Sequence, residues 1–77
     1  VRDLALRLVR ELVHEPGRVQ VRERRDGQSV LLEIGVDTDD RGRVIGRGGR
    51  TVDALRTVLD AVARWQGRSC RVEILDR

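Results

Sequence analysis

The sequence predicts an α+β fold: a three-stranded sheet packed on one side by three helices, in the order α-β-β-α-α-β. Three observations carry that expectation. Apolar residues recur at helical spacing over the first fourteen positions and then switch to alternation between Arg18 and Val36. Asp26-Gly27, a strong hairpin-turn pair, divides the alternating stretch in two. Further on, Val44-Ile45-Gly46-Arg47-Gly48-Gly49-Arg50-Thr51 forms a basic, glycine-rich turn between two helical patterns.

Taken in order, residues 1 to 14 form an amphipathic helix whose apolar stripe is Val1, Leu4, Ala5, Leu8, Val9, Leu12 and Val13, with Leu6 off the stripe. Pro16-Gly17 stops it. Over residues 18–25, Val19 and Val21 alternate with Arg18, Gln20, Arg22 and Arg24, a half-buried strand whose charged row reads as a solvated face or an edge that discourages aggregation. Ser29–Val36 then turns Val30, Leu32, Ile34 and Val36 to one side, so the two strands share a buried face. Asp37-Thr38-Asp39-Asp40 supplies N-cap and first-turn acids for a short helix over 38–45. A longer helix over 50–66 follows, with Val52, Leu55, Val58, Leu59 and Val62 inward and Asp53, Arg56, Asp60 and Arg64 outward. Gly67 sits where a C′ glycine ends a helix, and a last strand over 69–75 places Cys70, Val72 and Ile74 on one face. No repeat, linker or low-complexity segment interrupts the 77 residues, which read as one domain over 1–77.

Composition limits the function classes. A domain of this size buries only about 60% of its unfolded surface, which leaves no room for an enclosed catalytic cavity. The 16 basic residues are all arginine and stand against 13 acidic ones, for a net charge of +3. That balance permits nucleic-acid binding without demanding it, since clustering decides. Arginine codon preference in a GC-rich genome accounts for the missing lysines, so arginine abundance alone is weak evidence. One cysteine allows no internal disulfide and no cysteine-based metal site, which suits a reducing cytoplasm. No apolar run approaches the length of a membrane span and no basic-then-apolar leader occurs, so the expectation is a cytoplasmic chain without a membrane segment.

The glycine turn carries the chemistry. Gly46 and Gly49 let the backbone take positive φ and let a ligand approach without a Cβ in the way. The following helix offers unsatisfied N–H groups and the positive end of its dipole, an anion site suited to phosphate. Arg47 within the turn and Arg43 and Arg50 beside it add formal charge. A P-loop needs a lysine and the chain has none. The dinucleotide fingerprint needs a third glycine where Thr51 stands, and a strand before the turn. What remains is a G-x-x-G clamp, Gly46 to Gly49, on two helices backed by a small sheet, the device by which KH domains grip about four nucleotides of single-stranded RNA.

Val44-Ile45-Gly46-Arg47-Gly48-Gly49-Arg50-Thr51-Val52 resembles the KH signature, and the order of elements is similar to the type II, bacterial KH arrangement. Through Thr57 the chain resembles the small single-KH-domain RNA-binding proteins of bacteria, the KhpA-like family. The resemblance implies a cytoplasmic RNA chaperone or post-transcriptional regulator. It also implies pairing with itself or with a second KH-containing protein, and a part in cell division, elongation and shape. Arg47 meets the family's basic variable slot; Gly48 in the other slot is a departure that adds backbone freedom. The expected contacts are turn amides on phosphate oxygens, charge from Arg47, Arg43 and Arg50, and an apolar groove of Ile45 with Ile34 or Val36 for the bases, with Val44 and Thr51 of the signature counted among the RNA-binding residues. Such binding is weak and broadly selective, because phosphate contacts dominate and one aromatic residue provides no stacking platform.

The remaining candidates have plainer roles. Trp65 reads as packing over the core edge or a dimer contact, His14 as capping or simple exposure, and Cys70 as a small buried strand residue. No carboxylate pair, nucleophile-base set or ligand cluster occurs at workable spacing, so neither enzyme activity nor a metal or cofactor is expected. Two readings remain open: single-stranded RNA binding, with DNA the lesser ligand, and a KH scaffold for protein pairing.

Overall fold

A computed structural model describes residues 1–76, excluding the Asp76 side chain. The predicted order of elements holds. Helix α1 (Arg2–Leu12) leads through a 3-10 turn at Pro16–Arg18 into strand β1 (Gln20–Asp26). Strand β2 (Ser29–Val36), a 3-10 turn at Thr38–Asp40, helix α2 (Arg41–Ile45), a 3-10 turn at Arg47–Gly49, helix α3 (Arg50–Trp65) and strand β3 (Ser69–Asp76) follow. The sheet order is β1-β2-β3. β1 and β2 pair antiparallel through a two-residue loop, and β2 and β3 pair parallel from Ser29↔Ser69 to Val36↔Asp76.

As the central strand, β2 buries its inward row most deeply: Val30 is 3% exposed and Leu32, Ile34 and Val36 are fully enclosed. Ala5 and Val9 of α1, Val44 of α2 and Leu55, Leu59 and Ala63 of α3 join them in one apolar cluster, to which Val19 and Val21 on one side and Cys70 and Val72 on the other also belong. Leu6, off the stripe in the sequence, is half-buried against this cluster, so the buried arc of α1 is broader than the heptad-like stripe suggests.

Three boundaries and faces differ from the expectation. α1 ends at Leu12 because the next residues serve another element: the N–H groups of His14 and Glu15 both donate to the Asp40 carboxylate, each at 3.0 Å. The 3-10 turn at Pro16–Arg18 delays β1 to Gln20. In α3 the buried line is Val52, Leu55, Leu59 and Ala63, and Val58 is 46% exposed. At 3.6 residues per turn Val58 falls on the far side of that line, together with Ala54, Ala61 and Trp65, within an arc of about 60°. Trp65 is 95% exposed and packs on no core edge, a correction to one of its two expected roles.

α3 ends in a Schellman motif. Gly67 takes φ +76°, its N–H donates to Arg64 O, and the Arg68 N–H reaches back to Ala63 O, both at 2.9 Å. α3 then runs beside the free edge of β3 and covers it with side chains. Asp60 Oδ1 accepts the Cys70 N–H at 2.9 Å, and Arg56 Nη2 donates to Val72 O at 3.5 Å.

Candidate nucleic-acid interface

Five residues of helix are too few to hold themselves, so α2 is positioned from outside. Val44 plugs it into the core with no exposed surface. Asp40, 1% exposed, fixes its start by binding the chain segment after α1 through the two N–H groups and Arg43 through Nη1 at 3.2 Å. The His14 N–H is foremost among the groups that hold the Asp40 carboxyl below its ordinary value, with Glu15 N–H and Arg43 adding to it against the opposing effect of burial. Asp37 caps the preceding turn through the Asp39 N–H.

The turn begins at Gly46, with φ 77° and ψ 171°, a region open essentially to glycine alone. Its N–H closes α2 on Gly42 O at 2.8 Å. Gly48 (φ 64°, ψ 18°) and Gly49 (φ 80°, ψ 12°) follow in left-handed conformations. The Gly49 N–H returns to Gly46 O at 3.1 Å and the Arg50 N–H to Arg47 O. These bonds consume two amides that the sequence reading offered to phosphate, those of Gly46 and Gly49. The N–H groups of Arg47 and Gly48 take no part in them, and both residues are exposed. α3 starts at once behind them with no side-chain cap on its N-terminus.

Space around the glycines separates their roles. A Cβ on Gly46 would overlap Thr51 Oγ1 and lie 2.8 Å from Thr51 Cβ, so the missing side chain there makes room for Thr51 and not for a ligand. A Cβ on Gly48 or Gly49 would meet nothing within 4 Å. Those two glycines leave the outer side of the turn open.

The eleven residues expected at the interface thus divide. Ile45, Gly46, Arg47, Gly48, Gly49, Arg50 and Thr51 form one continuous, partly or fully exposed turn. Arg47 and Arg50 have no carboxylate partner among the described residues. Arg43 is tied to Asp39 O and Asp40 Oδ1, both at 3.2 Å, and its charge is already engaged. Ile34, Val36 and Val44 are each 0% exposed, so the expected groove of Ile45 with Ile34 or Val36 is not an accessible surface. Their enclosure has a simple cause: the three helices cover the inward face of the central strand.

Asp40 is the residue whose role sequence reasoning missed, since the pattern marks it only as an N-cap or first-turn acid. Periodicity says nothing of a carboxylate whose backbone partners lie 26 and 25 positions earlier. Elsewhere, Cys70 is buried in β3, and burial first and the Asp60 carboxylate second push its thiol up. His14 is exposed and contributes its backbone N–H to Asp40. Among the described residues no three His, Cys, Asp or Glu side chains are placed to hold a metal ion, and no helix is long and apolar enough to cross a membrane.

A sheet ordered β1-β2-β3 under three helices, with a G-x-x-G turn between α2 and α3, defines a KH domain of the α-β-β-α-α-β type. The sequence profile described as KhpA/KhpB, KH domain matches residues 2–74, and the chain belongs to that family. It is similar to the RNA-binding protein KhpA of Halalkalibacterium halodurans, at 42% identity over 76 residues covering 99% of this chain and 100% of that protein. It is likewise similar to the RNA-binding protein KhpA of Streptomyces coelicolor, 46% identical over 69 residues, or 90% of this chain and 84% of the relative. The Mycobacterium tuberculosis protein of the same name is 44% identical over 74 residues, 96% and 89% of the two chains.

Proposed function

We propose that the chain, a single KH domain over residues 1–77, binds single-stranded RNA by its backbone and acts in the cytoplasm as an RNA chaperone or post-transcriptional regulator. The observation that carries this reading is an exposed turn whose Arg47 and Gly48 N–H groups take no part in its internal hydrogen bonds, with Arg47 and Arg50 free of carboxylate partners among the described residues, at a helix start without a side-chain cap. Donors and cations on one exposed turn meet the acceptor oxygens and charge of a phosphate. The name RNA-binding protein carried by the relatives supports RNA over DNA as the strand held. The action is positional: the turn holds a strand and performs no chemistry on it. Replacing Arg47 and Gly48 together by aspartate puts two negative charges against the phosphate while leaving the core untouched. Loss of RNA retention in a filter assay with an unchanged circular-dichroism spectrum supports the clamp, and unchanged retention rejects it.

A second reading, pairing with another copy or with a second KH-containing protein, is favoured by the stripe Ala54, Val58, Ala61 and Trp65 on the outward face of α3. Trp65 at 95% exposure is the largest apolar side chain left uncovered. Sedimentation at several concentrations, with and without RNA, separates a pairing scaffold from a monomeric clamp.

A further inference from the structure

The two edges of the sheet are treated differently. On β3, Asp60 and Arg56 bond the outward Cys70 N–H and Val72 O. On β1 the one such bond among the described residues is from Arg2 Nε to Val21 O, at 2.9 Å. That bond identifies Val21 as a residue whose backbone faces away from β2. In an antiparallel pair the facing alternates, so Glu23 and Arg25 also turn their N–H and C=O groups to the open side. Beyond Val21 the edge offers two donors and two acceptors that no hydrogen bond among the described residues uses.

We propose that this edge takes up an extended, acidic protein segment as a fourth strand. The added strand bonds the N–H and C=O groups of Glu23 and Arg25, and its acidic side chains meet the arginines beside them. Two further features of the edge suit that occupant. A surface hollow takes in this edge, reaching from Leu6 and Arg10 of α1 to Arg22, Arg24, Glu33 and Leu75 on the outer face of the sheet. Leu6, half-buried at its wall, gives the inward side chains of an added strand an apolar contact. Arg10 and Arg22 have no carboxylate partner among the described residues, whereas Arg24 is paired with Glu33 and Arg25 with Glu23. The uncommitted charge along the hollow is therefore positive.

Charge disfavours two of the registers in which a second copy of this chain could pair here. Antiparallel self-pairing centred on Glu23 sets Glu23 against its own copy and Arg22 against Arg24. A shift of one position sets Arg22 against Arg22. Like charges directly opposite are destabilising in a sheet. A phosphodiester strand fits less well, because phosphates accept hydrogen bonds and leave the two outward C=O groups without donors.

The test is amide hydrogen exchange on the whole chain with excess of an eight-residue peptide of alternating Asp and Val, capped at both ends. Slowed exchange at Glu23 and Arg25, with no such slowing from an alternating Arg and Val peptide, supports the proposal. Arg22→Glu then weakens binding of the acidic peptide by about fivefold, as expected for an exposed ion pair turned repulsive. Glu23→Pro deletes an outward N–H at a position where an edge strand tolerates proline, and should abolish the slowing at Arg25. Should that variant not fold, Arg22→Glu retains the test. Unchanged exchange at Glu23 and Arg25, an equal response to the basic peptide, or the same slowing from a single-stranded oligonucleotide would overturn it.

Discussion

Thr51 occupies the space that any side chain on Gly46 would need. A Cβ on Gly46 would stand 2.9 Å from the Thr51 backbone nitrogen as well as against its side chain, and Gly46 itself is at φ 77°. This close approach demands glycine at the start of the turn that carries the exposed residues Arg47 and Gly48. Gly46→Ala is therefore expected to destabilise the fold by about 1–3 kcal/mol, the cost of holding an L-residue in a glycine-only conformation. Gly48→Asn, in open space and at a left-handed φ that Asn tolerates, should cost less in the same thermal melt.

The arginines around the turn should separate by salt dependence. Removing a cation that contacts phosphate lowers the slope of log affinity against log salt by about 0.7 for a single strand. Arg47→Ala and Arg50→Ala should each show that decrease. Arg43→Ala should lower the melting temperature with little change in slope, because its guanidinium serves Asp39 O and Asp40.

Acid should loosen the interface through Asp40. Its folded-state pKa lies below the ordinary 3.8, so its contribution to stability is complete above that value and is lost as pH falls through the lower folded value. Asp60, held down first by Arg64 and then by the Cys70 N–H, acts in the same direction. Asp40→Asn should lower stability at neutral pH and flatten the acid limb of the stability profile. Among substitutions of acidic residues by alanine, that at Asp40 should cost the most, since it strands two N–H groups. Chemical denaturation between pH 2.5 and 7 measures both effects.

Two large apolar residues of α3 should behave oppositely. Leu59→Ala empties a fully enclosed site and is expected to cost about 2–5 kcal/mol. Trp65→Ala, at 95% exposure, should shift stability by no more than about 0.5 kcal/mol. If α3 pairs with another copy, the same Trp65→Ala change should shift sedimentation toward monomer without altering the melt at low concentration.

Local pattern made most of this fold legible. The change of period located the strands, Asp26-Gly27 the hairpin and Gly67 the end of α3, because each signal acts between near neighbours. The glycine turn was legible for the same reason. What depended on distant parts of the chain was not. The sequence shows that Ile34 and Val36 are apolar and share a face, but their complete enclosure follows from the strand being central and covered by helices. Val58 and Ala63 both fit a helical stripe, and the axis of α3 over the sheet decides between them. Arg43 reads as free charge until Asp40 is known to be buried beside it. Glycine at 46, 48 and 49 reads as one device, although the first makes room for Thr51 and the other two leave open surface.

The most direct test is a nuclear magnetic resonance titration of the whole chain with a short single-stranded RNA. The account predicts that the largest amide shifts fall on Arg47 and Gly48, with smaller ones on Gly46 and Gly49, whose N–H groups are already bonded within the turn. Saturable RNA binding that leaves the Arg47 and Gly48 amides unmoved would contradict it.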